Sequence, residues 1–249
     1  MALPAHLLDR LSTLPGGTRL TQPARESTRN ESGLPFGIQA LDAVLPDQGL
    51  LRGGVVELSV TGESALATSI ALAACRAAQL EAQERGGSMP WCAFVDPSAT
   101  LYGPGVVAAG VELERLLVVR PPREALSRVA IKLTESQAFA LIIVDLAGAP
   151  GQPLSVGLGS WPRVIRRLSL AVDGTAASVL LITNSAEQRP LPLPVAQRIE
   201  LQRPSQEKLV VRIAKDRRGR ISPPRPIAWA RSQTSEKESV GGKNVRRLA

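Results

Sequence analysis

The sequence is poor in the residues that bind metals and form disulfides. Its 249 residues include one histidine, His6, and two cysteines, Cys75 and Cys92. Two cysteines are too few for a disulfide framework, and one histidine leaves no cluster with the spacing of zinc ligands. We therefore expect no metal, no cofactor and no histidine-based catalytic triad. Both cysteines are expected to be small buried apolar residues.

Long apolar runs and aromatic residues are also scarce. No apolar run approaches the roughly 18 residues that a membrane-spanning helix requires. The N-terminus lacks the basic and apolar regions of a signal peptide, so we expect a cytoplasmic protein with no membrane partner. Because 44% of the residues are hydrophobic, the chain can still build a full core.

The formal net charge of +8 is concentrated near the C-terminus. Residues 203–249 contain 13 Lys and Arg against 4 Asp and Glu, whereas the remainder contains 17 against 18. The composition of residues 231–249 predicts a disordered basic tail, which either solubilises the protein or contacts nucleic acid or a protein partner. A candidate group for weak, non-specific DNA binding lies within six residues: Lys215, Arg217, Arg218 and Arg220.

Three regions are predicted: residues 1–32 as an N-terminal helix and linker, 33–230 as the core, and 231–249 as the tail. Two short segments are candidates for partner binding. In the first, Leu7, Leu8 and Leu11 share one helix face, which binds a partner or packs on the protein's own core. The second is either an unselected chain end or a segment that becomes helical on binding, and it contains Val245, Arg246, Arg247 and Leu248.

Within the core, β-branched strand patterns alternate with amphipathic helix patterns. Strands are predicted over residues 55–60, 91–96, 116–119, 140–145 and 178–183. Helices are predicted over about 65–84, from near Pro104, after 119 and over 161–173. The later segments IELQ, KLVVRIA and PIAWA suggest an antiparallel end. This order predicts a doubly wound α/β fold with a mostly parallel sheet and antiparallel strands at one edge.

In such sheets ligands bind at the carboxyl ends of the strands. The segment TGESALATS follows the first strand, where a phosphate-binding loop would have the pattern G-x-x-x-x-G-K-[ST]. Leu66 and Ala67 stand where the glycine and lysine are expected, and no basic residue lies between Arg52 and Arg76. Asp145 closes the fourth strand, either as a magnesium-binding acid or as a cap of the next turn. The degenerate nucleotide site therefore comprises Thr61, Gly62, Glu63, Ser64, Ala65, Leu66, Ala67, Thr68 and Asp145.

The segment FGIQALDAVLPDQGLLRGGVVELSVTGESALATSIALAA resembles the start of a RecA-type recombinase core. The resemblance continues in the same order through FVDPS, GVELERLLVVRP, FALIIVD, SVLLITN and LVVRIAK, over roughly residues 33–230. More narrowly, the sequence is similar to the ImuA-like proteins, RecA-related accessory factors of a bacterial mutagenesis cassette. SulA-like division inhibitors belong to the same RecA-derived group.

The departures from the recombinase pattern bear on activity. The phosphate-loop lysine is absent, Ser98 stands at the position of the water-activating glutamate, and Asn184 at that of the switch glutamine. The resemblance therefore implies a pseudo-ATPase without phosphate positioning, general base or sensor. The DNA-binding loops of recombinases correspond to residues 146–162 and about 185–194, which hold little positive charge, so DNA contact is expected from the basic C-terminal segment.

The ImuA resemblance implies a non-catalytic accessory protein of damage-induced (SOS) translesion mutagenesis. Its expected partners are RecA and an ImuB-like subunit of an error-prone polymerase complex. Two alternatives stay open. One is a SulA-like inhibitor that binds the tubulin-like division protein, and the other is an NTPase with an unorthodox loop, completed by Arg52 or by a partner's side chain.

Overall fold

The computed structural model describes residues 32–61, 65–84, 86–149, 152–154, 158–185 and 192–228. These residues belong to one compact unit. Both predicted partner-binding segments, Leu7, Leu8 and Leu11 at one end and Val245, Arg246, Arg247 and Leu248 at the other, lie outside the described residues.

Eight strands form one sheet, and two short strands form a separate ribbon. The strands of the sheet are β1 (Gly54–Thr61), β2 (Trp91–Val95), β3 (Leu116–Val119), β4 (Phe139–Asp145), β7 (Ser178–Asn184), β8 (Gln197–Gln202), β9 (Lys208–Asp216) and β10 (Arg225–Ala228). The ribbon pairs β5 (Gly148–Ala149) with β6 (Gln152–Pro153). The helices are α1 (Gln39–Asp42), α2 (Ala65–Glu84), α3 (Gly103–Ala108), α4 (Leu126–Glu135) and α5 (Trp161–Val172).

The order of strands across the sheet is β10-β9-β8-β1-β7-β4-β2-β3. The six strands from β8 to β3 are mutually parallel, whereas β9 and β10 are antiparallel to their neighbours. This confirms the predicted fold class. The antiparallel end begins one strand later than expected, because the IELQ segment in β8 pairs in parallel with β1.

Helices cover both faces of the sheet, as the continuous apolar strand patterns predict. On one face, α2 packs Ile70, Ala74 and Cys75 against the sheet in a core that also contains Leu58. On the other face, α4 and α5 pack side by side. Their inward residues are Leu126, Ala130, Ile165, Leu168 and Val172, and Trp161 at the start of α5 is buried with them. Cys75 and Cys92 are both buried, as expected.

No helix in the described ranges is long and apolar enough to cross a bilayer.

A charged group lies in the interior of the sheet. Glu57, in the middle of β1, is fully buried. Its carboxylate accepts hydrogen bonds of 2.7 Å from Thr183 Oγ1 in β7 and 2.7 Å from Arg198 Nε in β8. A buried charge is tolerated only when it is paired and hydrogen-bonded. These contacts therefore link the three central strands.

We predict that Glu57→Gln lowers the free energy of unfolding by about 3 kcal/mol, because it leaves the partly buried Arg198 guanidinium without its counter-charge. Urea denaturation at neutral pH measures the loss. The control is Glu200→Gln in β8, which removes the more exposed pair with Arg212 and should cost under about 1 kcal/mol. Equal losses in the two variants would contradict the prediction.

Candidate nucleotide-binding edge

The carboxyl ends of the parallel strands meet at one edge of the sheet. Following the strand order, this edge carries Thr61 at the end of β1, Asn184 at the end of β7, Asp145 at the end of β4 and Asp96 directly after β2. The topology thus places the predicted loop residue and the predicted acid at the same edge, separated by β7.

The start of α2 places apolar side chains where a phosphate loop would have its glycine and lysine. Leu66 is 6% exposed and Ala67 is fully buried, and both belong to the core beneath α2. Thr68 is half-buried, while Gly62, Glu63 and Ser64 lie outside the described residues. The helix start therefore contributes to packing, and it offers no cation to a phosphate.

The end of β1 is tied to the segment that follows β7. The hydroxyls of Thr61 and Ser185 are 2.7 Å apart, and the Ser185 N–H donates to the carbonyl of Val60 at 3.0 Å. The side chain of Thr61, which begins the candidate loop, is therefore hydrogen-bonded within the protein.

Asp145 is directed into the turn that follows β4. Its Oδ1 accepts hydrogen bonds from the N–H groups of Ala147 at 2.9 Å and Gly148 at 3.3 Å, which is the geometry of a turn cap. The side chain is buried, and burial raises its pKa to about 6, while the two N–H groups act in the opposite direction. The negative charge of nearby Asp96 adds to the rise.

Asp96 forms a second capped turn. Its carboxylate accepts hydrogen bonds from the N–H groups of Thr100 at 3.1 Å and Leu101 at 2.9 Å. Arg120 Nε lies 3.5 Å from the same carboxylate. The sequence analysis did not predict Arg120 as a site residue. Its position directly after β3, at the carboxyl edge, could have indicated it. Both acids of this edge are therefore engaged by the protein's own groups.

Across the described ranges, no cluster of three or more His, Cys, Asp or Glu side chains has a geometry that could hold a metal ion.

The predicted basic group lies at the opposite edge of the sheet, where Asp216 pairs with Gln197 at the start of β8. Arg220 donates to both carboxylate oxygens of Asp47 at 2.7 and 2.8 Å and to Asp216 at 2.6 Å. Arg218 also lies 3.3 Å from Asp47. The hydrogen bond from Arg220 holds the pKa of Asp47 below its usual range.

Arg220 therefore joins the segment after α1 to the turn after β9, and its charge is neutralised there. Arg218 shares the same carboxylate. Of the four candidate DNA-binding residues, Lys215 and Arg217 make no ion pair in the described part of the chain, and their role in DNA binding stays a prediction.

The hypothesis that Arg52 completes the nucleotide site is wrong. Arg52 precedes β1, and its guanidinium makes an ion pair with Glu81 at 2.5 Å and donates to the carbonyl of Ala176 at 3.3 Å. The eight residues of β1 separate it from the candidate loop, a distance of about 26 Å at the usual rise of a strand.

The raised pKa of Asp145 predicts a stability that depends on pH. In the unfolded chain the carboxyl titrates near its ordinary value of 3.8, so between that value and about 6 the folded protein binds more protons. Stability from this group therefore decreases as pH rises through this window. At pH 8 Asp145→Asn should raise the free energy of unfolding by up to about 3 kcal/mol, since asparagine can still cap the turn.

Urea denaturation of both proteins at pH 4.5 and pH 8 measures this effect. The difference between them should shrink at the lower pH, where the wild-type carboxyl is largely protonated. A variant that is less stable than the wild type at pH 8 would contradict the interpretation.

Comparison with known proteins identifies relatives of part of this chain. No protein-family model matches the chain. A 146-residue segment is 33% identical to RecA of Cutibacterium acnes and covers 58% of this chain and 40% of the relative. A 134-residue segment is 33% identical to RecA of Rhodospirillum centenum and covers 53% and 35%.

A third match, to RecA of Lactobacillus delbrueckii subsp. bulgaricus, is 33% identical over 119 residues. The aligned segments thus cover about two fifths or less of these curated relatives. Combined with the mixed eight-stranded sheet, they give a plain result: the fold is RecA-like, and about half of the chain is related to RecA.

Proposed function

We propose that this protein is a non-catalytic, ImuA-like accessory factor of damage-induced translesion mutagenesis. The observation that carries the proposal is the burial of Leu66 and Ala67 at the start of α2. A phosphate loop works because backbone N–H groups and a lysine surround the phosphates. Here the corresponding side chains stabilise the core instead.

The two acids of the same edge support a pseudo-ATPase. Asp145 and Asp96 are buried, and each accepts hydrogen bonds from the backbone of the turn that follows it. An acid that positions magnesium and water must present its oxygens to the ligand. Here Oδ1 of Asp145 and both oxygens of Asp96 accept hydrogen bonds from their turns, which supports a structural role.

A protein without nucleotide chemistry acts by binding other molecules. The edge strand β3 offers a surface for such binding. β3 is the last strand on its side of the sheet, and Leu117 and Val118 are each 38% exposed. Nearby, Leu113 and Trp91 are also exposed, and Arg115 stacks on the Trp91 ring at 5.5 Å. An exposed apolar edge strand can accept a strand from another chain. We propose this edge as a contact for RecA or for the ImuB-like polymerase subunit.

The first test is nucleotide binding. We expect no tight binding of a fluorescent ATP analogue and no phosphate release, with or without magnesium, because the loop lacks the lysine and its glycine. Asp145→Asn serves as the control and should change neither measurement. Micromolar affinity together with magnesium-dependent turnover that Asp145→Asn abolishes would contradict the proposal and favour the NTPase alternative.

The second test is partner capture with the full-length protein. We expect it to retain purified RecA and the polymerase subunit, and we expect Leu117→Lys to weaken at least one of the two interactions about tenfold, since a buried lysine opposes strand addition. The matched control is Leu80→Lys on α2, where the native leucine is 43% exposed. Equal effects of both variants on partner binding would show that β3 is not a specific contact.

The terminal segments are tested in the same assay. Deletion of residues 232–249 and, separately, Leu8→Ser within the N-terminal segment distinguish tail contacts from N-terminal contacts. Failure of the wild type and of every variant to retain either partner, combined with filamentation of cells on overexpression, would favour the SulA-like alternative.

A further inference from the structure

The outer face of α4 and α5 carries positive charge that is not neutralised. Five cations project from the two helices: Arg128, Lys132, Arg163, Arg166 and Arg167. The exposed carboxylate on these helices is Glu135, and Arg167 pairs with it at 2.8 Å. Four cations thus remain without an ion pair in the described part of the chain.

The positions of these residues make the face continuous. The buried residues of α5 recur at helical spacing, so the opposite side presents Arg163, Arg166, Arg167 and Leu170 together. On α4 the equivalent exposed positions hold Arg128, Lys132 and Glu135. The Arg167–Glu135 pair joins the two helices, so their exposed sides form one surface, which we call the α4–α5 cationic face.

Apart from Glu135, which pairs with Arg167, the described acidic groups near this face lie at its margins. Glu124 precedes α4 and Asp173 follows α5, and both are exposed. Neither makes an ion pair among the described residues. The face therefore attracts an anionic partner.

An apolar side chain at the centre of the face indicates the kind of partner. Leu170 is 80% exposed, and it stands among the three arginines of α5. At the base of the face, Ile131, Leu133 and Val164 are only partly buried. Phosphate recognition uses cations and has no use for an exposed leucine, whereas protein interfaces combine arginine with apolar contact. The face also lacks an exposed aromatic ring for base stacking, since Trp161 is buried.

We propose that the α4–α5 cationic face binds an acidic protein segment that places an apolar side chain against Leu170. Arginines on both helices pair with the carboxylates, and Leu170 makes the central apolar contact. The inference does not depend on the absence of nucleotide chemistry.

The test uses three fluorescent probes and the full-length protein. The first is a short glutamate-rich peptide with leucines at helical spacing, the second is polyglutamate of the same length, and the third is oligothymidylate of equal charge. At one moderate salt concentration, we expect the leucine-containing peptide to bind most tightly. Leu170→Ser should weaken that peptide about tenfold and leave polyglutamate unchanged.

Charge is tested with two matched variants that each remove four cations. The first neutralises Arg128, Lys132, Arg163 and Arg166 to glutamine and should weaken both peptides about tenfold or more. The control neutralises Arg76, Arg203, Lys208 and Arg225, which are exposed elsewhere, and should change binding by less than about twofold. Thermal melts accompany both variants, and all eight residues are exposed, so neither should unfold.

Two results would overturn the proposal. Equal losses of peptide binding in the two charge variants would show that binding depends on net charge and not on a specific site. Tighter binding of oligothymidylate than of the leucine-containing peptide, unaffected by Leu170→Ser, would make this face a nucleic-acid surface.

Discussion

The buried carboxylate of Glu57 is the contact on which the central sheet depends. It lies on β1, and its hydrogen-bond partners come from the two strands beside it, Thr183 on β7 and Arg198 on β8. A charge at that depth is unfavourable unless both partners are in place, so strand pairing and charge pairing are coupled. A shift of β7 or β8 by one residue would move Thr183 or Arg198 to the other face of the sheet, away from the carboxylate.

The same pairing sets the geometry of the carboxyl edge. Because β1 is held in register, Thr61 faces Ser185, and α2 begins over the core at a defined point. In a nucleotide-binding protein the first turn of such a helix is left free for phosphates. Here Leu66 and Ala67 occupy it, and their burial stabilises the fold at the position where a ligand would have bound. The start of α2 therefore contributes to packing within a RecA-like order of strands.

Much of the fold was predictable because its signals are local. Helix α2 and strand β3 have the predicted bounds, since an alanine-rich amphipathic run and a β-branched run each determine their own conformation. The parallel direction of β8 was not predictable. Whether a strand is parallel or antiparallel depends on the strand it pairs with, and the residues IELQ do not indicate that strand. The Glu57–Arg198 pair was missed for a similar reason: the two residues are 141 positions apart, and Glu57 interrupts an apolar run that otherwise indicates a plain buried strand.

The charge exposed on the folded protein differs from the charge counted along the sequence. Counted by segment, the basic excess lies after residue 203, and residues before it are close to neutral. Folding changes how much charge each of these two segments exposes. Arg220 and Arg218 gain Asp47 as a counter-ion from a distant segment, so part of the basic cluster is neutralised. Meanwhile the acids that balance the first part of the sequence include Glu57, Asp96 and Asp145, which are buried and contribute little to the surface field. The cations of α4 and α5 remain exposed, so a positive face lies within a part of the chain whose summed charge is close to zero.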